Sequence, residues 1–168
     1  MKPSSYRKLA LILFASYFIV LVWAVLFKLQ LSFNDLPDLR SINLQPFGDS
    51  SFKKGKFNTP EVVGNFLIFF PFGIYLNMFP RRSSYLKQLL LMGIVSLTFE
   101  VLQYIFSIGV SDMTDLLMNI SGGGAGILAY MGMLKIAKKR RKLNKYLTIL
   151  AGVGTALAVP LIIIIFVL

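Results

Sequence analysis

The residue with the clearest chemical potential is Glu100, which lies in the middle of the apolar run 88–110, where no other residue is charged. A carboxylate at the centre of a bilayer costs at least about 2.5–3.5 kcal/mol on insertion scales. It therefore faces protein or trapped water, and its retention indicates a function. Gln103 follows three residues later, which places both polar side chains on one face of a helix.

A second polar group opens the next apolar run. Asp112, Asp115 and Asn119 are spaced i, i+3 and i+7, a pattern that predicts one face of one helix. Because carboxylates can act as general acids or bases, Glu100, Asp112 and Asp115 are the candidate catalytic residues. Without histidine, these three carboxylates would suit at best a hard cation such as Mg²⁺ or Ca²⁺. We expect no metal site and no cofactor.

The composition indicates a membrane protein. The chain has 168 residues, of which 56% are hydrophobic and 15% are charged, whereas a soluble domain carries about 25% charged residues. The absence of cysteine excludes disulfides and thiolate chemistry. The absence of histidine excludes a Ser-His-Asp triad and removes the commonest general base. The net charge of +11 follows mostly from basic residues in loops, so no nucleic-acid partner is expected.

Charged residues divide the chain into five apolar spans, each long enough for an α-helix to cross about 30 Å of hydrocarbon. None shows the alternation of barrel strands. The sequence therefore predicts an all-α fold, an integral membrane bundle of five transmembrane helices that forms a single membrane domain over residues 1–168. The predicted helices cover 9–27, 62–80, 88–110, 112–134 and 146–168, and residues 28–61 form a long extracytoplasmic loop.

The distribution of lysine and arginine predicts the orientation, because cytoplasmic segments carry the excess of basic residues. With the N-terminus inside, the inner segments hold three basic residues before the first span, three between the second and third, and seven between the fourth and fifth. The outer segments hold five. We therefore predict a bacterial cell membrane protein with a cytoplasmic N-terminus and an extracytoplasmic C-terminus. The seven-residue basic group, within 135–145, is interpreted first as a topology anchor and second as a contact for anionic lipid.

Once the spans are oriented in this way, their polar residues fall at one depth near the outer boundary of the membrane. Gly122 and Gly126 form a small-xxx-small pair on the fourth span, which lets a neighbouring helix approach closely. Arg40, in the outer loop, is the predicted partner of the carboxylates, because a guanidinium pairs bidentately with them. We hypothesise one hydrogen-bonded cavity that Arg40 covers as a lid. Its predicted lining residues are Asn65, Glu100, Gln103, Asp115 and Asn119.

Four short segments with polar residues follow one another along the chain. They are Arg40-x-x-Asn43-Leu-x-Pro46-Phe47, Asn65-Phe-Leu-Ile-Phe-Phe-Pro71-Phe-Gly73, Glu100-Val-Leu-Gln103 and Asp112-x-x-Asp115-x-x-x-Asn119-x-x-Gly122-Gly123. In this order they resemble the VanZ-like family of bacterial membrane proteins, over roughly residues 40–130. One departure is clear: many members carry an arginine three residues before the first aspartate, and this chain has Gly109 there, so no role of that arginine is transferred.

The family is named for a protein that confers resistance to the glycopeptide antibiotic teicoplanin, so the resemblance implies an envelope function of that type. It places Arg40 and Asn43 beside the polar residues of the spans as candidate binding residues. Three interpretations stay open. A non-enzymatic protein would bind membrane lipids, the glycopeptide or a lipid-linked cell-wall precursor at the outer leaflet. An intramembrane enzyme would act on a lipid headgroup or such a precursor, and a small transporter would move a proton through the buried carboxylate.

Overall fold

The computed structural model describes residues 3–28, 39–48, 52–53, 56–79 and 84–167. Within them the chain forms five α-helices, in agreement with the predicted all-α class, together with four short strands that hydropathy did not predict. The helices are α1 (Pro3–Leu26), α2 (Thr59–Met78), α3 (Tyr85–Phe106), α4 (Met113–Ala137) and α5 (Arg140–Val167). The strands are β1 (Leu39–Asn43), β2 (Phe52–Lys53), β3 (Lys56–Phe57) and β4 (Ile108–Asp112).

Four helices in the described part of the chain, α1 to α4, are long and apolar enough to cross a membrane. A crossing by α5 stays a prediction. The chain folds as two compact units, Ile19–Tyr130 and a second one made of Met1–Phe18 with Met131–Leu168. In the second unit, α1 and α5 meet where Gly152 faces the Leu13 side chain and where the Lys145 ammonium lies 5.4 Å from the Tyr6 ring centroid.

Polar contacts in the unit 19–130 show how its helices run. The Asn77 amide donates to the Gln88 side chain at 2.9 Å, which joins the end of α2 to the start of α3. At the opposite end of α3, Gln103 donates to the Val25 carbonyl near the end of α1. The ends of α1 and α3 and the starts of α2 and α4 therefore lie at the same end of this group of helices. All the predicted polar residues of the spans lie toward this end.

Glycines set the contact between α2 and α4, as the small-residue pattern predicts. A Cβ on Gly122 would overlap the Phe66 carbonyl oxygen, and one on Gly126 would overlap that of Phe70. From the other side, a Cβ on Gly73 would overlap the Gly123 carbonyl oxygen. Since the contacts advance together along both helices, α2 and α4 run parallel. Their backbones touch, which larger side chains would prevent.

The predicted end of the third helix at residue 110 is wrong, because α3 ends at Phe106. Ser107 adopts the left-handed conformation (φ 57°, ψ 29°), and its backbone N–H bonds to the Gln103 and Tyr104 carbonyls, which closes the helix. The next residues form β4, which pairs in parallel with β1, Leu39 opposite Ile108 and Asn43 opposite Asp112. Ile-Gly-Val is as apolar as the helix before it, so the hydropathy pattern does not separate the two.

Several helices extend beyond the predicted bounds. Charged residues mark the part of a helix that can lie in hydrocarbon, whereas the hydrogen-bonded helix can continue past them. For example, α2 begins at Thr59, before Glu61, and Pro60 suits this first turn because its missing N–H costs nothing there. Likewise α4 extends to Ala137 and α5 begins at Arg140.

The predicted orientation has a direct test in this chain without cysteine. Gln45 and Ser84 are both exposed, and they lie on opposite sides of the predicted membrane. Single cysteines at these positions, probed with an impermeant maleimide on intact cells, should label at 45 and not at 84. Both should label after the membrane is permeabilised, which controls for reactivity. Labelling at 84 alone in intact cells would reverse the orientation.

Candidate functional site

A cavity of about 390 Å³ opens where α1 ends and where α2 and α4 begin. Three charged residues line it, each at a helix terminus: Lys28 two residues after α1, Glu61 in the first turn of α2, and Asp115 in the first turn of α4. The carboxylates face the positive ends of the α2 and α4 dipoles, which stabilises them. The remaining lining residues are Ala24, Val25, Asn58, Pro60, Gly64, Asn65 and Ile68.

Lys28 holds an uncommon backbone conformation at this cavity. Its φ of 46° lies in the left-handed region, which favours glycine and costs a lysine about 1–3 kcal/mol. In this conformation its ammonium forms an ion pair with Glu61, whose other oxygen accepts a hydrogen bond from the Asn58 amide. Both charged side chains are partly buried, 33% exposed for Lys28 and 23% for Glu61. The ion pair therefore joins the end of α1 to the start of α2.

The surrounding carboxylates keep Lys28 charged. Burial by itself lowers the pKa of the Lys28 ammonium, but the charge of Glu61 and its hydrogen bond act in the opposite direction. With the more distant charges of Asp115 and Glu100 added, the pKa of Lys28 is raised above its ordinary value of 10.5. The cavity therefore holds a permanent cation at neutral pH.

Asp115 and Asn65, two of the predicted lining residues, both line this cavity. The Asn65 side chain hydrogen-bonds to the Asp115 carboxylate and so connects α2 to α4. Asn65 directly precedes Phe66, whose carbonyl oxygen lies against Gly122, so the hydrogen bond and the glycine contact join the same two helices.

Glu100 lies outside this lining and contacts the last two residues of β4, directly before α4. The residue is 5% exposed, and its Oε2 accepts the Asp112 backbone N–H at 2.8 Å. The Ser111 hydroxyl donates to the Glu100 carbonyl at 2.6 Å. Both contacts fasten the start of α4 to α3, which gives Glu100 a structural position beside the cavity.

Asp112 is not on the helical face with Asp115 and Asn119, so that prediction is wrong. It ends β4 and caps α4, since its Oδ1 accepts the Thr114 backbone N–H at 2.8 Å. The same oxygen accepts the Asn43 amide at 3.2 Å, so the candidate binding residue Asn43 belongs to the β1–β4 end of the cap. Asp112 therefore has a structural position outside the cavity lining.

Gln103 and Asn119 are fully enclosed and hold helices together rather than line the cavity. The Gln103 amide donates to the Val25 carbonyl at 2.9 Å, and the Asn119 amide donates to the Ser96 hydroxyl at 2.9 Å. Their amide oxygens, and Glu100 Oε1, are buried without a hydrogen-bond partner in the described residues. These polar atoms make the interior next to the cavity a favourable place for hydrogen-bond donors.

No contact among the described residues places Arg40 in the site. Its backbone pairs with Gly109 in the β1–β4 ladder, and its side chain lies outside the described part of the chain. The lid role therefore stays a prediction. The cation that the structure places beside the carboxylates is Lys28, which sequence reasoning counted only as a loop charge. A signal was available, because Lys28 and Glu61 are the charges that bound the first two spans on one side.

Among the described residues, no group of three or more acidic side chains is arranged to hold a metal ion. The cavity instead combines a Lys–Glu pair with a separate carboxylate and two carboxamides. Such a set offers charged and neutral hydrogen-bond donors and acceptors to a polar ligand.

Comparison with known proteins identifies the family of the chain. The family model described as VanZ/LLP1 matches residues 14–138, which include all of the cavity lining. The chain is 35% identical over 153 residues to "Protein VanZ" of Enterococcus faecium, covering 90% of this chain and 89% of that protein. No solved structure matches the chain.

Proposed function

This chain belongs to the VanZ/LLP1 family, and from that premise we propose that it is an envelope membrane protein of the teicoplanin-resistance type. It lowers the action of lipoglycopeptides without a chemical reaction, by binding the polar headgroup of a membrane lipid or lipid-linked wall precursor in the Lys28–Asp115 cavity. The observation that carries the proposal is the cavity itself, a chamber with five polar or charged lining residues where three apolar helices begin or end.

The position of the cavity supports a headgroup ligand. Three helix termini converge there, so the cavity lies at the membrane boundary, where lipid headgroups reside. In the predicted orientation this is the outer leaflet, which teicoplanin and the lipid-linked wall precursor both reach. The five polar or charged residues of the lining suit a headgroup better than an acyl tail, because burying polar groups against hydrocarbon costs free energy.

Neutralising Asp115 tests this function. Expressed in a susceptible Gram-positive host, the wild-type chain should raise the inhibitory concentration of teicoplanin and leave that of a glycopeptide without an acyl tail nearly unchanged. Asp115→Asn should remove most of the rise at equal membrane abundance, because it takes from the cavity wall the carboxylate that lies outside the Lys28–Glu61 pair.

Asp112→Asn is the matched control, with the same charge change three residues away. Asparagine caps a helix about as well as aspartate, so this variant should protect like the wild type. Protection retained in Asp115→Asn would contradict a role for the cavity. No protection by the wild-type chain would contradict the resistance function itself.

A further inference from the structure

We propose that the cavity binds a primary ammonium group carried by a lipid headgroup, with Asp115 as its direct partner. The inference rests on the proposed function in taking this cavity as the binding site, and it adds the chemical class of the ligand. Headgroups of this class include phosphoethanolamine and aminoacyl esters.

Charge balance is the first argument. The ion pair of Lys28 with Glu61 satisfies both partners, and the second Glu61 oxygen also accepts the Asn58 amide. Asp115 hydrogen-bonds to the neutral Asn65 amide, and the charge of Lys28 also acts on it although the ion pair of Lys28 is with Glu61. A partly buried carboxylate that shares its described cation with a second carboxylate is only partly neutralised, and a ligand ammonium would complete the neutralisation. An anionic ligand would be repelled by two carboxylates, Glu61 and Asp115, and attracted by one ammonium, that of Lys28.

The lining distinguishes a primary from a quaternary ammonium. Quaternary groups have no N–H donors and bind in cages of aromatic rings. The residues that line this cavity include no aromatic side chain, within the part of the chain that the structure describes. They instead provide carboxylate and carboxamide oxygens from Asp115, Asn65 and Asn58, which accept N–H donors. A primary ammonium has three such donors, and a trimethylammonium has none.

Location identifies the source of the ammonium as a lipid. Asp115 and Glu61 lie in first helical turns and Lys28 lies two residues beyond α1, so the cavity is at headgroup depth. A lipid phosphate next to the ammonium would remain at the membrane surface, close to Lys28. The side chain of Lys28, 33% exposed, can meet it without breaking the pair with Glu61.

The test compares two lipids that differ only by methylation of the headgroup nitrogen. The purified full-length chain is titrated with an equimolar mixture of phosphatidylethanolamine and phosphatidylcholine of identical acyl chains, and bound lipid is counted by native mass spectrometry. We expect a preference for phosphatidylethanolamine of about tenfold or more, from a charge-assisted hydrogen bond to the partly buried Asp115 carboxylate. Asp115→Asn should reduce the preference to near unity, and Asp112→Asn should keep it.

Three results would overturn the inference. The first is equal binding of the two lipids by the wild-type chain, and the second is an equal loss of preference in both variants. The third is thermal stabilisation by free ethanolamine in phosphatidylcholine nanodiscs with none by phosphatidylethanolamine, which would assign the site to a soluble amine. Folding of each variant is checked by its melting temperature in detergent. Because lipid preference is measured without the antibiotic, it can fail while protection holds, or hold while protection fails.

Discussion

Replacing Gly122 with alanine is expected to prevent α2 and α4 from packing and to deplete the folded protein from the membrane. The added Cβ would overlap the Phe66 carbonyl oxygen, which is backbone and cannot move aside as a flexible side chain can. The helices must separate, which opens the contact continued by Gly126 and Gly73. Overpacking of a well-packed core costs about 1–3 kcal/mol when side chains adjust, and a backbone overlap exceeds that range.

The same helix provides the control. Gly132 also lies in α4, and nothing lies within 4 Å of the position that its Cβ would take. Gly132→Ala should therefore accumulate and melt like the wild type, so that the pair separates the local clash from any general effect of alanine in α4. Melting temperature and monodispersity of a fluorescent fusion in detergent measure both variants. Wild-type stability in Gly122→Ala would contradict the backbone contact of α2 with α4.

Replacing Glu100 with alanine is expected to destabilise the protein by loosening the turn before α4. The backbone N–H of Asp112 would lose its acceptor in a buried position, which alone costs about 1–3 kcal/mol, and the missing side chain would leave a void. Because the segment before α4 positions the first helical turn of α4, Asp115 would move when that segment loosens. We therefore expect a lower melting temperature together with lost lipid preference and lost protection.

Glu100→Gln is the matched comparison. Glutamine retains an oxygen that can accept the Asp112 N–H and has almost the same volume, but it carries no charge and exchanges no proton. Under the binding proposal this variant should fold and protect like the wild type. Normal folding with loss of protection would instead favour the enzyme or the proton-coupled transporter. Melting temperature, membrane abundance and teicoplanin susceptibility, measured for both Glu100 variants, decide between these outcomes.

Much of the framework is determined by the sequence alone. Apolar spans of bilayer length leave the backbone no alternative to helices, so α1 to α4 were predictable in number and approximate place. The Gly122/Gly126 spacing predicted a close helix contact, because residues four apart share one helical face. The shared depth of the polar residues also selected Asp115 and Asn65, which meet across that contact.

Tertiary structure decided the composition of the cavity. Lys28 and Glu61 are 33 residues apart, and their pairing depends on the left-handed turn after α1 and on how α1 and α2 pack. Neither property can be predicted from hydropathy or from charge counts. The sequence therefore proposed Arg40 as the cation, whereas the structure placed Lys28 there.

Tertiary structure also divided the predicted polar set. Equal depth predicted one cluster of Asp115 with Glu100, Gln103 and Asn119. In the structure, the last three point in other directions around their helix axes and have hydrogen-bond partners of their own. Likewise the run Ile108–Val110 is apolar enough for a helix, and only its pairing with β1 makes it a strand. Periodicity determines which residues share a face, and long-range packing determines what that face meets.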